Sequence, residues 1–299
     1  MEKLKITFLG TGNAIPTEKR NHTGILINFL NESILVDCGE GIQRQFKIAG
    51  ISPAKLTKIL ITHWHGDHIL GLPGLFQTLA MSGYNKTLKI YGPHGTKRFI
   101  SLIKELLMNI RINIEAIELS DNEIIKEKNF IINSYSMSHG TPSLAYSIKI
   151  PDRIHLEKNK IKKFGLPNSS ILGELQRGKD IVYKNKKVKA KSVTYTEKGK
   201  KIAIILDTAM NNNAFKTAKD ADILIAESTF SSKEKEKARE YLHLTASQAA
   251  IIAKKAKAKK LILTHISQRY EHNTSIIEKE AKKIFKNISI AKDFNVVTV

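Results

Sequence analysis

The sequence has a single cysteine, Cys38, a single tryptophan, Trp64, and only seven prolines among its 299 residues. One thiol cannot form an internal disulfide, and it cannot supply a cysteine cluster for a metal, so a reducing cytoplasm is the expected compartment. Acidic residues are also scarce: 28 Asp+Glu face 49 Lys+Arg, leaving a formal charge of +21. That surplus disfavours a basic partner and favours a polyanion such as nucleic acid or an acidic membrane face. No apolar run reaches the about 18 residues that a membrane-spanning helix requires, and the opening MEKLKITFLG reads as a short strand rather than a charged leader with an apolar stretch. Neither secretion nor membrane spanning is therefore expected.

At 41% hydrophobic residues the chain can bury a core, so disorder is not the default. Apolar runs rich in Ile, Leu and Val predict strands at Lys5 to Leu9, Gly24 to Asn28, Ile34 to Asp37, Lys58 to Thr62, Leu88 to Tyr91, Phe130 to Ser136, Ala145 to Ile150, Lys201 to Leu206, Ile223 to Ala226 and Lys260 to Thr264. Helical periodicity falls between some of them, at Gly41 to Ala49, Gly71 to Met81, Gly95 to Met108, Thr245 to Lys257 and Ser275 to Phe285. Strands mixed with helices predict a layered α/β architecture.

Residues 151–201 break this pattern. They hold 15 Lys+Arg against 5 Asp+Glu, so nearly half the excess charge sits in about a sixth of the length. Weak periodicity there suggests a solvated, poorly ordered insertion; the sharper alternative is an arm that grips phosphate.

The most informative stretch is Lys58-Ile59-Leu60-Ile61-Thr62-His63-Trp64-His65-Gly66-Asp67-His68, in which a buried strand runs directly into three His and one Asp. Packing rarely needs three imidazoles so close together, whereas zinc accepts both imidazole nitrogen and carboxylate oxygen. Three further strands end on a lone candidate ligand: His139 in Ser136-Met137-Ser138-His139-Gly140, Asp207 in Ile204-Ile205-Leu206-Asp207-Thr208, and His265 in Ile262-Leu263-Thr264-His265-Ile266. Strand ends are where ligand sites gather in α/β sheets. The set His63, His65, Asp67, His68, His139, Asp207 and His265 is too large for one tetrahedral ion and suits two. Asp207 is the isolated carboxylate available to bridge them, with His63, His65 and His139 on one side and Asp67, His68 and His265 on the other. Paired metals about 3.5–4 Å apart clamp the attacking and leaving oxygens of an in-line phosphoryl displacement, and Asp67 can accept a proton from the attacking water.

In this order the seven residues resemble the metallo-β-lactamase superfamily. Leu9-Gly10-Thr11-Gly12, Pro16-Thr17, Arg20-Asn21, Asp37-Cys38-Gly39-Glu40-Gly41, Gln43-Arg44-Gln45, Gly92-Pro93-His94-Gly95-Thr96 and Thr264-His265-Ile266-Ser267-x-Arg269-Tyr270 narrow the likeness to ribonuclease Z (tRNase Z) of the short form, across essentially the whole chain. The resemblance implies a single four-layer αββα sandwich over residues 1–299 with the basic arm inserted at 151–201. It also implies two zinc ions per chain, with Mn²⁺ or another divalent ion as a substitute, a homodimer, and precursor tRNA as the partner. The implied activity is endonucleolytic removal of the 3′ trailer, leaving a tRNA 3′-hydroxyl and a trailer 5′-phosphate.

By the same resemblance His243 protonates the leaving oxygen, with Glu227 orienting it, and Asp37 is structural rather than a ligand. The acid role also has a physical basis, because expelling an alkoxide is slow without a proton donor and a carboxylate-held His suits that task; the alternative for His243 is a residue that merely packs beside a helix capped by Thr245. Gly165-Leu166-Pro167, Gly173, Leu175 and Gly178 resemble the family's tRNA-binding exosite, with Lys162, Lys163, Arg177 and Lys179 carrying its charge; Asn168, Ser169 and Ser170 depart from the usual pattern. Thr11-Gly12 and Gly95 are weaker candidates for presenting backbone N–H groups to an anion, while His22, His94, His155 and His272 are expected to be surface or structural. Two competing readings remain: a small-molecule hydrolase of the same superfamily, against which the basic arm argues, and a non-catalytic RNA-binding scaffold, which predicts missing ligands where none is missing.

Overall fold

In the computed structural model, which describes residues 4–108 and 110–299, the chain divides into two compact units. The larger comprises the described residues of 4–126, 132–148 and 201–299; the smaller comprises 127–131 and 149–200.

The larger unit is built on two seven-stranded sheets. The first runs in the order Val296–Thr298, Lys5–Gly10, Gly24–Phe29, Glu32–Val36, Lys58–Leu60, Thr87–Gly92, Asn113–Glu118. The second runs Ile288–Ile290, Leu261–Thr264, Ile223–Glu227, Lys200–Ile205, Leu144–Ile150, Ile131–Ser136, Ile124–Lys126. Residues on both faces of the central strands are buried, which explains why those strands read as continuous apolar runs rather than alternating ones. On the first sheet Leu26, Leu35, Ile59 and Ile90 pack with Ile42, Phe46, Leu72, Phe76 and Ile100 from the helices Ile42–Ile48, Leu72–Met81 and Thr96–Leu106. On the second, Leu224, Ala226, Leu261 and Leu263 pack with Ala218, Ala249, Ala253 and Ile277 from helices Asn212–Ala218, Ala246–Lys255 and Ser275–Lys282.

The faces opposite those helices bury Ile25, Ile27, Ile34, Ile204, Ile225 and Ile262. Tyr146 of the second sheet donates its hydroxyl to the Ile61 carbonyl just beyond the first at 2.6 Å, and the Leu144 N–H reaches the Thr62 carbonyl at 2.8 Å. The layers are thus helix, sheet, sheet, helix, as the resemblance implied.

All ten expected strands and all five expected helices are present, with ends shifted by one to three residues. The expectation did not include the edge strands Asn113–Glu118 and Val296–Thr298, or the short helices Asn212–Ala218 and Lys235–Glu240. Val296–Thr298 pairs antiparallel with Lys5–Gly10 across almost the whole chain, a partnership that no local pattern announces. Among the described residues no helix is long and apolar enough to cross a membrane.

The smaller unit is ordered where weak periodicity suggested an unstructured insertion. Strand Arg153–Leu156 pairs antiparallel with Thr194–Glu197, and Ile181–Tyr183 forms a hairpin with Lys186–Val188. Lys184 and Asn185 at the hairpin turn have φ of 47° and 58°, the left-handed pair that a two-residue turn requires. Leu166, Leu175, Val188, Ala190 and Val193 form its buried core.

Candidate metal centre

Four strands of the larger unit end at one place. Lys58–Leu60 runs into the loop carrying His63, His65, Asp67 and His68; Ile131–Ser136 leads to His139, Lys200–Ile205 to Asp207, and Leu261–Thr264 to His265. Asp37 and His265 each follow a strand at left-handed φ, 57° and 56°. Non-glycine residues adopt this conformation at a cost that the surrounding contacts must offset, and here it turns each side chain toward the cluster.

All seven expected ligands converge. His63, His65 and His139 present donor atoms within 4.8 Å of one another, as do Asp67, His68, Asp207 and His265. Asp207 lies between the groups: its Oδ2 is 3.7 Å from His63 Nε2, 3.5 Å from His68 Nε2 and 3.5 Å from His139 Nε2, while its Oδ1 is 3.2 Å from His265 Nε2. Asp67 Oδ2 lies 3.3 Å from His68 Nε2 and 3.4 Å from His265 Nε2. His65 Nδ1 lies 3.0 Å from His63 Nε2 and 3.2 Å from His139 Nε2.

Outer partners fix the imidazole tautomers. His68 Nδ1–H donates to Asp37 Oδ2 at 2.6 Å, and His139 Nδ1–H donates to the Leu242 carbonyl at 3.1 Å. Thr62 donates its hydroxyl to Asp37 at 2.7 Å and accepts from His63 Nδ1 at 3.1 Å. Thr229 acts in the same way, donating to Glu227 Oε2 at 2.6 Å and accepting from His265 Nδ1 at 2.8 Å. Each of these four rings therefore turns a lone pair on Nε2 toward the carboxylates. Lone pairs facing lone pairs inside a protein repel unless a proton or cation lies between them.

The donor set fits divalent metal on two counts. His68 Nε2 and Asp207 Oδ1 are buried without hydrogen-bond partners, a costly state that a cation would relieve. The donor separations also approach the about 3.3 Å edge of a tetrahedron with metal–ligand bonds of about 2.0–2.1 Å.

Electrostatics agree. Burial, with His68 nearby, holds the His63 imidazole well below its ordinary pKa, and burial with His139 lowers His65. Burial opposes ionisation of Asp207, yet His265, His68 and His243 keep it well below the usual carboxylate range. Asp67 is likewise depressed against burial by His68 and His265. His68 moves the other way: burial would lower it, but Asp207, Asp37 and Asp67 raise it well above normal.

Beside the cluster, His243 Nδ1 donates to both oxygens of Glu227, each at 3.1 Å. Burial disfavours the imidazolium, but Glu227 and Asp207 raise its pKa to about 9. Glu227 is fully buried and also accepts the Thr208 N–H at 2.7 Å. The bridge Phe230↔Thr245 joins the segment after Glu227 to the one after His243, and Thr245 forms a capping box with Gln248 on helix Ala246–Lys255. The capping role weighed for this segment thus coexists with the carboxylate-held His243.

Residues 4–166 match the family model described as anti-Pycsar protein Apyc1, and this stretch belongs to that family. The match stops before Asp207, His243 and His265. Relatives named ribonuclease Z span the entire site. That of Methanosarcina acetivorans is 37% identical over 293 residues, covering 97% of this chain and 96% of its own. That of Methanocaldococcus jannaschii is 42% identical over 277 residues, covering 90% and 87%. This chain belongs to the ribonuclease Z family. Human tRNase Z, short form, superposes with a TM-score of 0.70 at 27% identity, covering 98% of both chains. The metallo-β-lactamase fold protein YhfI of Bacillus subtilis superposes at 0.73 with 20% identity, a likeness of fold. As a ribonuclease Z the chain is a metal-dependent endoribonuclease of metallo-β-lactamase fold.

His22 is buried against the Ala14 carbonyl, His155 pairs with Glu197 at 2.7 Å, and His94 and His272 are exposed. The Gly12 N–H donates to the Asn21 carbonyl and the Gly95 N–H to Glu118, so neither is left for an outside anion. Gly165 and Gly178, at φ 60° and 80°, terminate helices Lys158–Lys163 and Ser170–Gln176. In each, the following N–H reaches back five residues, Leu166 to Ile161 and Lys179 to Glu174, as a Schellman motif does. These glycines therefore have a structural reason of their own. Lys162, Lys163, Pro167, Arg177 and Lys179 are exposed, and Gly173 lies inside the second helix. Arg177 and Lys179 both pair with Glu174. Thr229 was missed by the sequence reading; the only local signal is its position two residues beyond Glu227 at a strand end.

Proposed function

We propose that this chain removes the 3′ trailer of precursor tRNA, cutting after the discriminator nucleotide to leave a tRNA 3′-hydroxyl and a trailer 5′-phosphate. The observation that carries this reading is the convergence of His63, His65, Asp67, His68, His139, Asp207 and His265 around Asp207, with the His243–Glu227 pair beside them. Two zinc ions per chain, or Mn²⁺ in their place, would supply Lewis-acid stabilisation of the phosphoryl charge and a water of lowered pKa. Asp207 with His63, His65 and His139 would hold one ion, and Asp207 with Asp67, His68 and His265 the other.

Asp67 accepts a proton from the attacking water. As the new P–O bond forms, the bond from phosphorus to the tRNA 3′ oxygen breaks, and His243 gives its proton to that oxygen. Glu227 holds the imidazole in place and raises its pKa, which favours the protonated form that the leaving alkoxide requires.

The basic unit serves as the tRNA exosite through Lys162, Lys163, Arg177 and Lys179. The exposed pairings of Arg177 and Lys179 with Glu174 are weak enough to yield to phosphate. Gly165, Pro167, Gly173 and Gly178 shape the segment that presents them. A homodimer acting in the cytoplasm completes the reading. The dimer is supported by an exposed apolar surface that includes Leu102 and Leu106, of the kind a second copy covers.

Incubating metal-loaded protein with a trailer-bearing precursor tRNA tests the proposal. A single cut after the discriminator nucleotide, abolished by chelator, is expected; an intact precursor in the presence of Zn²⁺ and Mn²⁺ would sink it.

A further inference from the structure

Trp64, the only tryptophan of the chain, stands between two expected ligands, His63 and His65. Its indole stacks on Phe99 with ring centroids 4.7 Å apart and planes inclined by 25°, and its N–H donates to Thr96 Oγ1 at 3.1 Å. The pair forms one wall of a cavity of about 500 Å³, also lined by His94, Lys97, Arg98, Glu118 and Thr141. That volume falls in the range of small-ligand pockets. The cavity adjoins the candidate metal centre in the chain on two sides, because Thr141 lies two residues beyond His139.

Charge in this cavity is unevenly used. Glu118 accepts the N–H groups of Gly95 and Lys97 at 3.0 and 3.2 Å and faces His94 Nδ1 at 3.4 Å, so its carboxylate is committed to the start of helix Thr96–Leu106. Lys97 and Arg98 are exposed, and neither side chain forms an ion pair among the described residues. An aromatic wall next to two available cations is how proteins hold single-stranded nucleotides without reading their sequence.

We infer that this cavity holds the first trailer nucleotide beyond the scissile phosphate, its base against the Trp64–Phe99 wall and the next phosphate on Lys97 and Arg98. The inference rests on the reading of the chain as a precursor-tRNA endonuclease. Two features favour the trailer over the tRNA end. The leaving 3′ oxygen of the tRNA belongs at His243, which groups with Glu227, His265, Asp207 and His139, whereas the residues lining the cavity include sequence neighbours of His63, His65 and His139 and none of His243. Trailers also vary in sequence, and stacking tolerates every base.

Because Trp64 is alone, its fluorescence reports this cavity directly. A 5′-phosphorylated trinucleotide, pUUU, titrated into the metal-loaded protein is expected to quench it saturably. The double variant Lys97→Ala, Arg98→Ala removes two exposed cations without touching either core. Lys97 and Arg98 together hold one phosphate, and a single-strand phosphate contact contributes about 0.7 to the salt slope, so the variant should bind about 5-fold more weakly at 0.1 M salt, with a slope shallower by about 0.7. Its KM should rise for a precursor with a three-nucleotide trailer and stay unchanged for a one-nucleotide trailer, which lacks the second phosphate.

Absence of quenching, or equal affinity and slope in the double variant, while precursor tRNA is still cut, would overturn the inference and leave the proposed function standing. Quenching with the expected salt slope but no cut on any precursor would uphold the nucleotide site and overturn the function. A Trp64 signal that changes with protein concentration and ignores pUUU would assign the stack to contact with a second copy and overturn the inference.

Discussion

Replacing Thr229 by valine keeps the volume of the side chain and removes one hydroxyl. That hydroxyl accepts from His265 Nδ1 at 2.8 Å and donates to Glu227 Oε2 at 2.6 Å, in a setting 1% exposed. Its loss leaves the buried His265 N–H without an acceptor, a cost of about 1–3 kcal/mol, and removes one of two donors to Glu227 Oε2, which His243 still serves at 3.1 Å. The imidazole N–H term acts on metal binding, because the Thr229 contact fixes the tautomer that aims Nε2 at Asp207 and Asp67. Loss of such an outer partner typically costs about 10–100-fold in metal affinity, or about 1.4–2.8 kcal/mol, which agrees with the hydrogen-bond figure. Thr229→Val should therefore bind zinc about 10–100-fold more weakly in competition with a chromogenic chelator, and Thr229→Ser should recover most of the loss. Zinc affinity of Thr229→Val within twofold of the parent would refute the assignment.

Other expectations follow from the same contacts. In the metal-free protein His243 should titrate near pH 9, followed by NMR of its ring protons; being raised, it is protonated at neutral pH and loses its proton as pH climbs through 9. Its contribution to stability is complete below the ordinary imidazole pKa and disappears over that climb. Glu227→Gln should bring the titration back toward the ordinary value, and an unmoved titration would contradict the Glu227 contact. Burial opposes the ionised form of Glu32, but Thr57 and Lys58 hold its pKa below normal, so its contribution is present above the unfolded carboxylate pKa and lost as pH falls through the folded one. Tm against pH should accordingly show a shallower acid limb for Glu32→Gln than for the parent. Deleting residues 151–201 should collapse precursor-tRNA cleavage while sparing hydrolysis of a small phosphodiester; equal loss of both would indicate misfolding. The intact protein should lose tRNA affinity steeply with salt, by about 0.7–0.9 in log K per log salt for each phosphate contacted.

The candidate ligands could be read from sequence because buried strands in this fold stop abruptly on them. Ile204-Ile205-Leu206-Asp207 and Ile262-Leu263-Thr264-His265 place a metal-binding type directly after an apolar run, where packing alone would put neither. The outer partners left no such mark. Thr229 and Thr62 are hydroxyl residues of ordinary appearance, and the Leu242 carbonyl that orients His139 belongs to the backbone, so only the fold reveals their role. The small core of the basic unit escaped notice because Leu166, Leu175, Val188, Ala190 and Val193 are dispersed among lysines and pair through short strands of three or four residues. Strand Val296–Thr298 finds its partner at the opposite end of the sequence, beyond the reach of periodicity. The wall of Trp64 and Phe99 was likewise invisible, since 35 positions separate the two rings.

The central claim is that Asp207 binds together two groups of ligands around a pair of divalent ions. Metal content per folded chain after zinc loading and desalting, compared between the parent and Asp207→Ala, tests it most directly. About two ions per parent chain are predicted, with a marked loss in the variant. A parent chain that retains no metal, or a variant that keeps the full complement, would contradict the account.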